Sequence, residues 1–398
     1  MERHQLRSVK TTVNIREEER RKKKKKKKMT SRTILGNIVN TNIPVPAAGG
    51  KIHSVASWLT SKVTSNKENV VEQISKTEGK ADTNPRYAVK KNNKKLCVAE
   101  EEPMEVEQEE ATRTVPEGVI DIDNEEDDVN ACGEYASDIY AYLKQLEMKY
   151  PVRENYLEGS GITSKMRSLL IDWMVSVHQQ FELCQETLFL SINLLDRYLQ
   201  LKVMDTPRSK LQLVGVVALL LACKVEEIYL PSIEDFVYST NNAYTDFEVK
   251  DMEIQMMSLL DFDLNTPISL SFLRRYSKAG DVDVLEHTLA KYILELSLLD
   301  FGQAALPPSL AAAAALNLSL ALLEPQSGPV WNISLQYHSG YSANMLTSIV
   351  RRMATVLINA ETHKLQAVRE KYSSRKFRRV ALIRDISGDK IRKMFRLK

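Results

Sequence analysis

The residues of this sequence that could do chemistry are charges set inside apolar, helix-patterned stretches. In Met166 to His178, MRSLLIDWMVSVH, the side chains Met166, Leu169, Leu170, Trp173 and Val177 fall on one helix face. The same stretch carries Arg167 and Asp172. Charges in such a place are either paired or displayed to a partner. Lys224, in LLLACKVEE, and Glu253 also stand in apolar helical stretches, where an unpaired charge is costly. Lys224 could be answered from its own helix by Glu226 or Glu227. His287 and Lys291 are four apart and share a helix face, which by itself reads as a solvated basic surface. All of this is the chemistry of binding. For catalysis the sequence offers no nucleophile–base motif, phosphate loop or metal constellation, and its six histidines are scattered. The reading is therefore a non-enzyme with no cofactor and no metal.

Helices must position these charges. The chain has 398 residues, 43% hydrophobic and 27% charged, with net charge +3. That balance predicts neither nucleic-acid nor membrane binding. No charge-free apolar run of roughly 18 residues exists, and the N-terminus has no apolar signal-peptide core. The four cysteines (Cys97, Cys132, Cys184, Cys223) lack CxxC spacing and read as free thiols of a reducing compartment. From Glu134 onward the helical period scarcely stops. Helices are predicted over Glu134–Tyr150, Thr163–Phe181, Gln185–Leu201, Ser209–Glu227, Ser232–Tyr238 and Thr245–Leu260. After Thr266-Pro267 they resume over Leu270–Ala279, Val284–Leu299, Pro308–Leu323, Ile333–His338 and Ser342–Ile358. On the first of them, Tyr135, Ile139, Leu143 and Leu146 form the apolar face. No strand period is visible.

The two helical runs read as copies. Tyr244, Thr245, Val249, Met252, Met256 and Leu260 align with Tyr341, Ser342, Leu346, Ile349, Met353 and Leu357 at a constant offset of 97. Each run has a small-residue central helix, LLLACKVEE and AAAAALNLSLAL, that lets neighbours pack closely. The fold class expected is all-α, with two tandem five-helix units behind an N-terminal tail. Boundaries fall at 1–133 for the tail, 134–263 and 264–360 for the two units, and 361–398 for a basic C-terminal extension that frays or lies on the fold.

Residues 1 to 130 hold only four leucines and no lasting helical period, which predicts a disordered tail. Lys22–Lys28 is an unbroken lysine run. It reads as an import or polyanion-binding signal, or as leader sequence with Met29 the natural start. Glu100–Asp128 holds fourteen acidic residues against one Arg113 and reads as a solvated, self-repelling spacer. The tail contains no Ser-Pro or Thr-Pro.

MRSLLIDWMVSVH resembles the signature of the cyclin box. LQLVGVVALLLACKVEEIY (Leu211–Tyr229) and FLRRYSKAGDVDVLEHTLAKYILEL (Phe272–Leu296) are similar to mitotic B-type cyclins, and the likeness spans about Tyr135 to Ile358. It implies two cyclin folds of five helices, in agreement with the repeat. It also implies a regulatory subunit that binds and activates a mitotic cyclin-dependent kinase at the G2/M transition. In that family the first fold packs on the kinase's C helix and activation segment and turns a catalytic Glu into its ion pair with Lys. Lys224 and Glu253 match the family's kinase-binding positions, and Arg167 and Asp196 match a buried ion pair joining the first two helices. Met166, Leu170, Trp173 and Gln212 match the exposed groove that docks Arg-x-Leu peptides of substrates. Ser176 stands where an acid often faces the peptide's arginine, so selection for that residue should be weaker. Arg274, His287 and Lys291 match a pocket in which three cationic donors hold a phosphorylated partner residue.

The resemblance gives two tail motifs a meaning. Arg32-Thr-Ile-Leu35-Gly-Asn-Ile-Val-Asn40 fits the destruction box RxxLxxxxN, and Lys67-Glu68-Asn69 is a KEN box. Together they imply removal through the anaphase-promoting ubiquitin ligase. Lys90–Lys95, KKNNKK, is an import-signal candidate, and the expected location is cytoplasm and nucleus. The competing class is a two-fold cyclin-like transcription factor or a scaffold without kinase activation. The former would want a zinc ribbon and a basic stripe on the folds.

Overall fold

The computed structural model describes residues 115–123, 132–323, 330–383 and 388–395. Every regular element among them is helical. The destruction-box residues Arg32, Leu35 and Asn40, the KEN residues Lys67, Glu68 and Asn69, the lysine run and KKNNKK lie outside the described residues.

Helix α1 (Gly133–Lys149) leads into a first unit of α2 (Ser164–Phe181), α3 (Gln185–Lys202), α4 (Leu211–Glu226), α5 (Ile233–Ser239) and α6 (Asp246–Leu259). The second unit is α7 (Ser269–Ala279), α8 (Val284–Leu299), α9 (Pro308–Leu323), α10 (Ile333–Ser339) and α11 (Ala343–Asn359). Helices α12 (Ala367–Tyr372) and α13 (Gly388–Phe395) follow. Each expected helix is present, with ends displaced by two residues at most.

Local chemistry sets these ends. The Thr163 hydroxyl accepts from the Met166 N–H at the start of α2. Ser232 with Asp235, Thr245 with Glu248, and Asp283 with Glu286 form reciprocal capping boxes at α5, α6 and α8. The central helices are α4 and α9. Leu211 through Cys223 are buried without a break, and so are Ala311 through Leu316. Small residues permit this closeness. A Cβ at Gly215 would lie 2.8 Å from Leu170 Cδ1, so α2 and α4 approach to a distance only glycine allows.

The internal repeat is real in three dimensions. Thr245 and Ser342 stand at the N-caps of α6 and α11. Val249, Met256 and Leu260 are buried, as are Leu346, Met353 and Leu357. Ile349, the counterpart of buried Met252, is only half-buried, and Val350 takes its place in the core. The Tyr244 hydroxyl donates to the Ser209 carbonyl at 2.6 Å, and that of Tyr341 meets Ser309 Oγ at 2.7 Å. Each tyrosine thereby ties its unit's last helix to the start of the central one.

Two expectations change and one open alternative is settled. Helix α1 turns Ala136, Leu146 and Glu147 inward, with Tyr140 and Leu143 packed against the core, and leaves Tyr135 and Ile139 exposed. Both stripes fit a 3.6 period, and tertiary packing selects the one displaced by a position. Of the two alternatives for the C-terminal extension, its described residues take the second and lie on the fold, with Val368, Tyr372 and Val380 buried. Glu100–Asp128 is not a free spacer throughout. Ile122 is 3% exposed, and Asp123 is held by Arg275 on α7.

Candidate docking surfaces

Lys224 in the last turn of α4 forms an ion pair with Glu253 on α6. The lysine side chain is 43% exposed and the carboxylate 17%. The alternative partner Glu227 is committed elsewhere, its Oε1 accepting from the Cys184 N–H at 2.7 Å and the Thr187 hydroxyl at 2.6 Å. Large apolar side chains flank the Lys224–Glu253 bridge. Val225, Ile228, Tyr229 and Leu230 follow Lys224, with Ile228 and Tyr229 about nine-tenths exposed. Phe247 and Ile254, seven apart on α6, are also exposed. Scattered apolar residues on a surface need no explanation, whereas a concentration beside one polar bridge marks a contact surface.

Arg167 and Asp196 form the expected buried pair. Arg167 Nε meets Oδ1 at 2.7 Å and Nη2 meets Oδ2 at 2.5 Å, with both side chains at least 96% buried. Burial opposes the guanidinium's charge, but the Asp196 carboxylate more than offsets this and holds its pKa above the ordinary value. The third donor, Nη1, goes to the Leu298 carbonyl on α8 at 2.9 Å, and Ser168 Oγ donates to the Leu299 carbonyl at 2.6 Å. The pair thus joins α2 not only to α3 but to the second unit. Asp172, the other charge of α2, accepts the Ala367 N–H that opens α12 at 2.9 Å. Burial raises its carboxyl to a pKa of about 6, the Ala367 N–H working against the shift.

The expected open groove along α2 is closed. Leu170 is 3% exposed, Trp173 7% and Gln212 8%, while Met166 and Leu169 are half-buried. The tight α2–α4 contact at Gly215 takes Leu170 into the core. Ser176 is half-buried and donates to the Asp172 carbonyl one turn back.

Arg274, His287 and Lys291 do come together, around the N-terminus of α3. Arg274 forms an ion pair with Glu186, Lys291 Nζ donates to Gln185 Oε1 at 3.2 Å, and His287 Nδ1 meets Ser277 Oγ at 2.7 Å. Burial, reinforced by the charges of Lys291 and Arg274, lowers the His287 pKa to about 4. The imidazole is therefore neutral near pH 7, so the expected three cations are two cations and a neutral ring. Burial also lowers the Lys291 pKa; Glu295 opposes that shift, and Arg274 and Lys371 add to it. Sequence reasoning missed the groups behind this cluster. Glu295 receives Lys371 Nζ on both oxygens at 2.7 Å and the Tyr372 hydroxyl at 2.7 Å, while Gln185 Nε2 donates to that hydroxyl at 3.3 Å. The adjacent Lys371-Tyr372, a charge beside an aromatic near the chain end, was the available signal.

Two family matches cover the helical part of the chain. The cyclin N-terminal domain matches residues 138–265 and the cyclin C-terminal domain residues 267–386. The chain is 47% identical over 296 residues to the G2/mitotic-specific cyclin-B of Marthasterias glacialis, covering 73% of this chain and 75% of that protein. It is 43% identical over 277 residues to the human G2/mitotic-specific cyclin-B2, covering 69% of this chain and 68% of that one. With the G2/mitotic-specific cyclin-B2 of Macaca fascicularis it shares 36% identity over 387 residues, 96% of this chain and 92% of the relative. Two tandem five-helix units, a central small-residue helix in each, and these matches place the chain in the cyclin family, among its mitotic B-type members.

Proposed function

We propose that this chain is the regulatory subunit of a mitotic cyclin-dependent protein kinase, that it activates the kinase at the G2/M transition, and that it is not itself the catalyst. The supporting observation is the exposed apolar side chains beside the Lys224–Glu253 bridge on a B-type cyclin fold. The bridge fixes two polar groups in register while Ile228, Tyr229, Phe247 and Ile254 supply area to bury against a partner. Binding there acts by population shift, favouring the kinase conformation that fits this face.

The same reading extends to three functions. Met166 and Leu169, the half-exposed margin of α2, form the entrance of an Arg-x-Leu peptide site, which Leu170, Trp173 and Gln212 complete only when the groove opens. Arg274, Lys291 and His287 receive a phosphorylated partner residue, which displaces Glu186 from Arg274. Arg32–Asn40 and Lys67–Asn69 direct removal by the anaphase-promoting ubiquitin ligase, and the protein works in cytoplasm and nucleus.

The test is reconstitution with a mitotic cyclin-dependent kinase, read as histone phosphorylation. Lys224→Glu faces Glu253 with a like charge and should abolish activation. Because Lys224 is substantially exposed, stability should change by less than about 1 kcal/mol. Full activation by this variant, or inactivity explained by unfolding, would refute the assignment.

A further inference from the structure

Residues Val119–Asp123 lie on the second unit, ahead of α1, and their contacts follow a pattern. The Ile120 N–H donates to Ser334 Oγ at 2.9 Å and its carbonyl accepts from His338 Nε2 at 2.8 Å, so α10 reads backbone there. The Ile120 side chain itself is 48% exposed. Ile122 is 3% exposed and fills an apolar socket. Asp123 accepts two hydrogen bonds from the Arg275 guanidinium, both at 2.7 Å. Arg275 is only 9% exposed and is held over the Tyr140 ring at 4.6 Å. The fit is close, because a Cβ on Gly133 would lie 2.1 Å from the Asp123 carbonyl oxygen.

This is how a surface recognises a short linear segment: main-chain hydrogen bonds give grip, and a socket and a bidentate arginine give selectivity. Ser334, His338 and Arg275 all stand on helices of the second unit, and Arg275 is steadied by the Tyr140 ring of α1. The segment they hold comes from an acidic stretch that has no other reason to lie flat on the fold. We propose that the α7–α10 surface is a peptide receptor for short segments carrying an aliphatic residue followed by Asp, occupied in cis by Ile120–Asp123, and that partners bearing the same acidic pattern dock there when that segment leaves. Nothing in this depends on the kinase reading.

The experiment measures binding of a labelled peptide, Glu-Gly-Val-Ile-Asp-Ile-Asp, to the full chain by fluorescence anisotropy. A tethered segment competes at millimolar effective concentration, so wild type should bind at least about tenfold more weakly than Ile122→Asp, which vacates the socket. Gly133→Ala, whose Cβ would meet the Asp carbonyl oxygen of either occupant, should instead bind the peptide no better than wild type. Adding Arg275→Glu to the vacated chain should weaken the peptide by about tenfold or more. Equal affinity for wild type and Ile122→Asp would overturn the proposal, and so would absence of binding to the folded Ile122→Asp chain or indifference to Arg275→Glu. Hydrogen exchange on wild type gives an independent reading. The Ile120 amide should be protected, and excess peptide should expose it; protection unchanged by saturating peptide would also refute competition.

Discussion

Arg167→Met is the most informative perturbation of the fold. In the native chain the guanidinium makes three hydrogen bonds, two to Asp196 and one to the Leu298 carbonyl, at 1% exposure. Methionine fills most of the volume but leaves the Asp196 carboxylate buried with only the Tyr156 hydroxyl, which donates to it at 2.7 Å. Breaking a buried pair from one side costs about 3–5 kcal/mol, because the stranded charge cannot reach water. For a helical body of this size that corresponds to a drop of roughly 10 °C in melting temperature. Removing both charges is a different perturbation. Arg167→Met with Asp196→Leu leaves no stranded ion and should recover much of the loss. The assay is urea and thermal denaturation of the four chains of a double-mutant cycle. Losses from Arg167→Met below about 1 kcal/mol, or a double variant as unstable as the sum of the singles, would refute the view that the pair is structural.

Other outcomes follow from individual contacts. Asp172 has a folded pKa of about 6 against an ordinary 3.8, so the stability it contributes is full below pH 3.8 and is lost as pH rises through 6. Urea midpoints of wild type and Asp172→Asn should therefore diverge between pH 4.5 and 7, the variant gaining relative to wild type; parallel curves would contradict this. Gly215→Leu places a side chain where Leu170 already sits and should cost about 1–3 kcal/mol, read as a lowered melting temperature. In the proposed phosphate pocket, His287→Gln should weaken phosphopeptide binding more at pH 5.5 than at 7.5, because a dianion raises the imidazole pKa from about 4 and recruits a proton. A pH-independent ratio of the two affinities would exclude the ring from the site.

Much of this architecture was legible in the sequence, for a physical reason. Helix periodicity, capping residues and proline breaks are local, and they located all ten helices of the repeat region and α1. The offset of 97 located the duplication because both units bury equivalent positions of their last helices. What failed was choice between adjacent stripes. On α1 the pattern fits an inward Tyr135 and Ile139 as well as it fits Ala136 and Tyr140, and only the neighbouring helices decide. Leu170 and Trp173 are apolar whether a groove is open or shut, and the close seat of Leu170 depends on Gly215, forty-five residues away in sequence. Partners of buried charges were equally hidden. Asp172 turns to a backbone N–H of α12, and Lys371 to Glu295 on α8, pairings that no spacing encodes. The docking of Ile120–Asp123 was masked by its acidic surroundings, whose composition outweighs four specific contacts.

The Lys371–Glu295 contact bears on where this chain can be cut. Helix α12 is six residues long and follows the last helix of the repeat, which makes it an obvious segment to delete when a shorter protein is wanted. Glu295 is 1% exposed, and both its oxygens are satisfied from α12. A protein ending at Ala360 would keep the whole duplicated fold but leave the Glu295 carboxylate stripped of its α12 donors, with the Gln185 Nε2 contact at 3.5 Å remaining beside Lys291. Such a shortened chain would alter the surroundings of the Arg274–His287–Lys291 cluster without touching any of its residues. A loss of binding there could then be mistaken for a contact made by the missing segment.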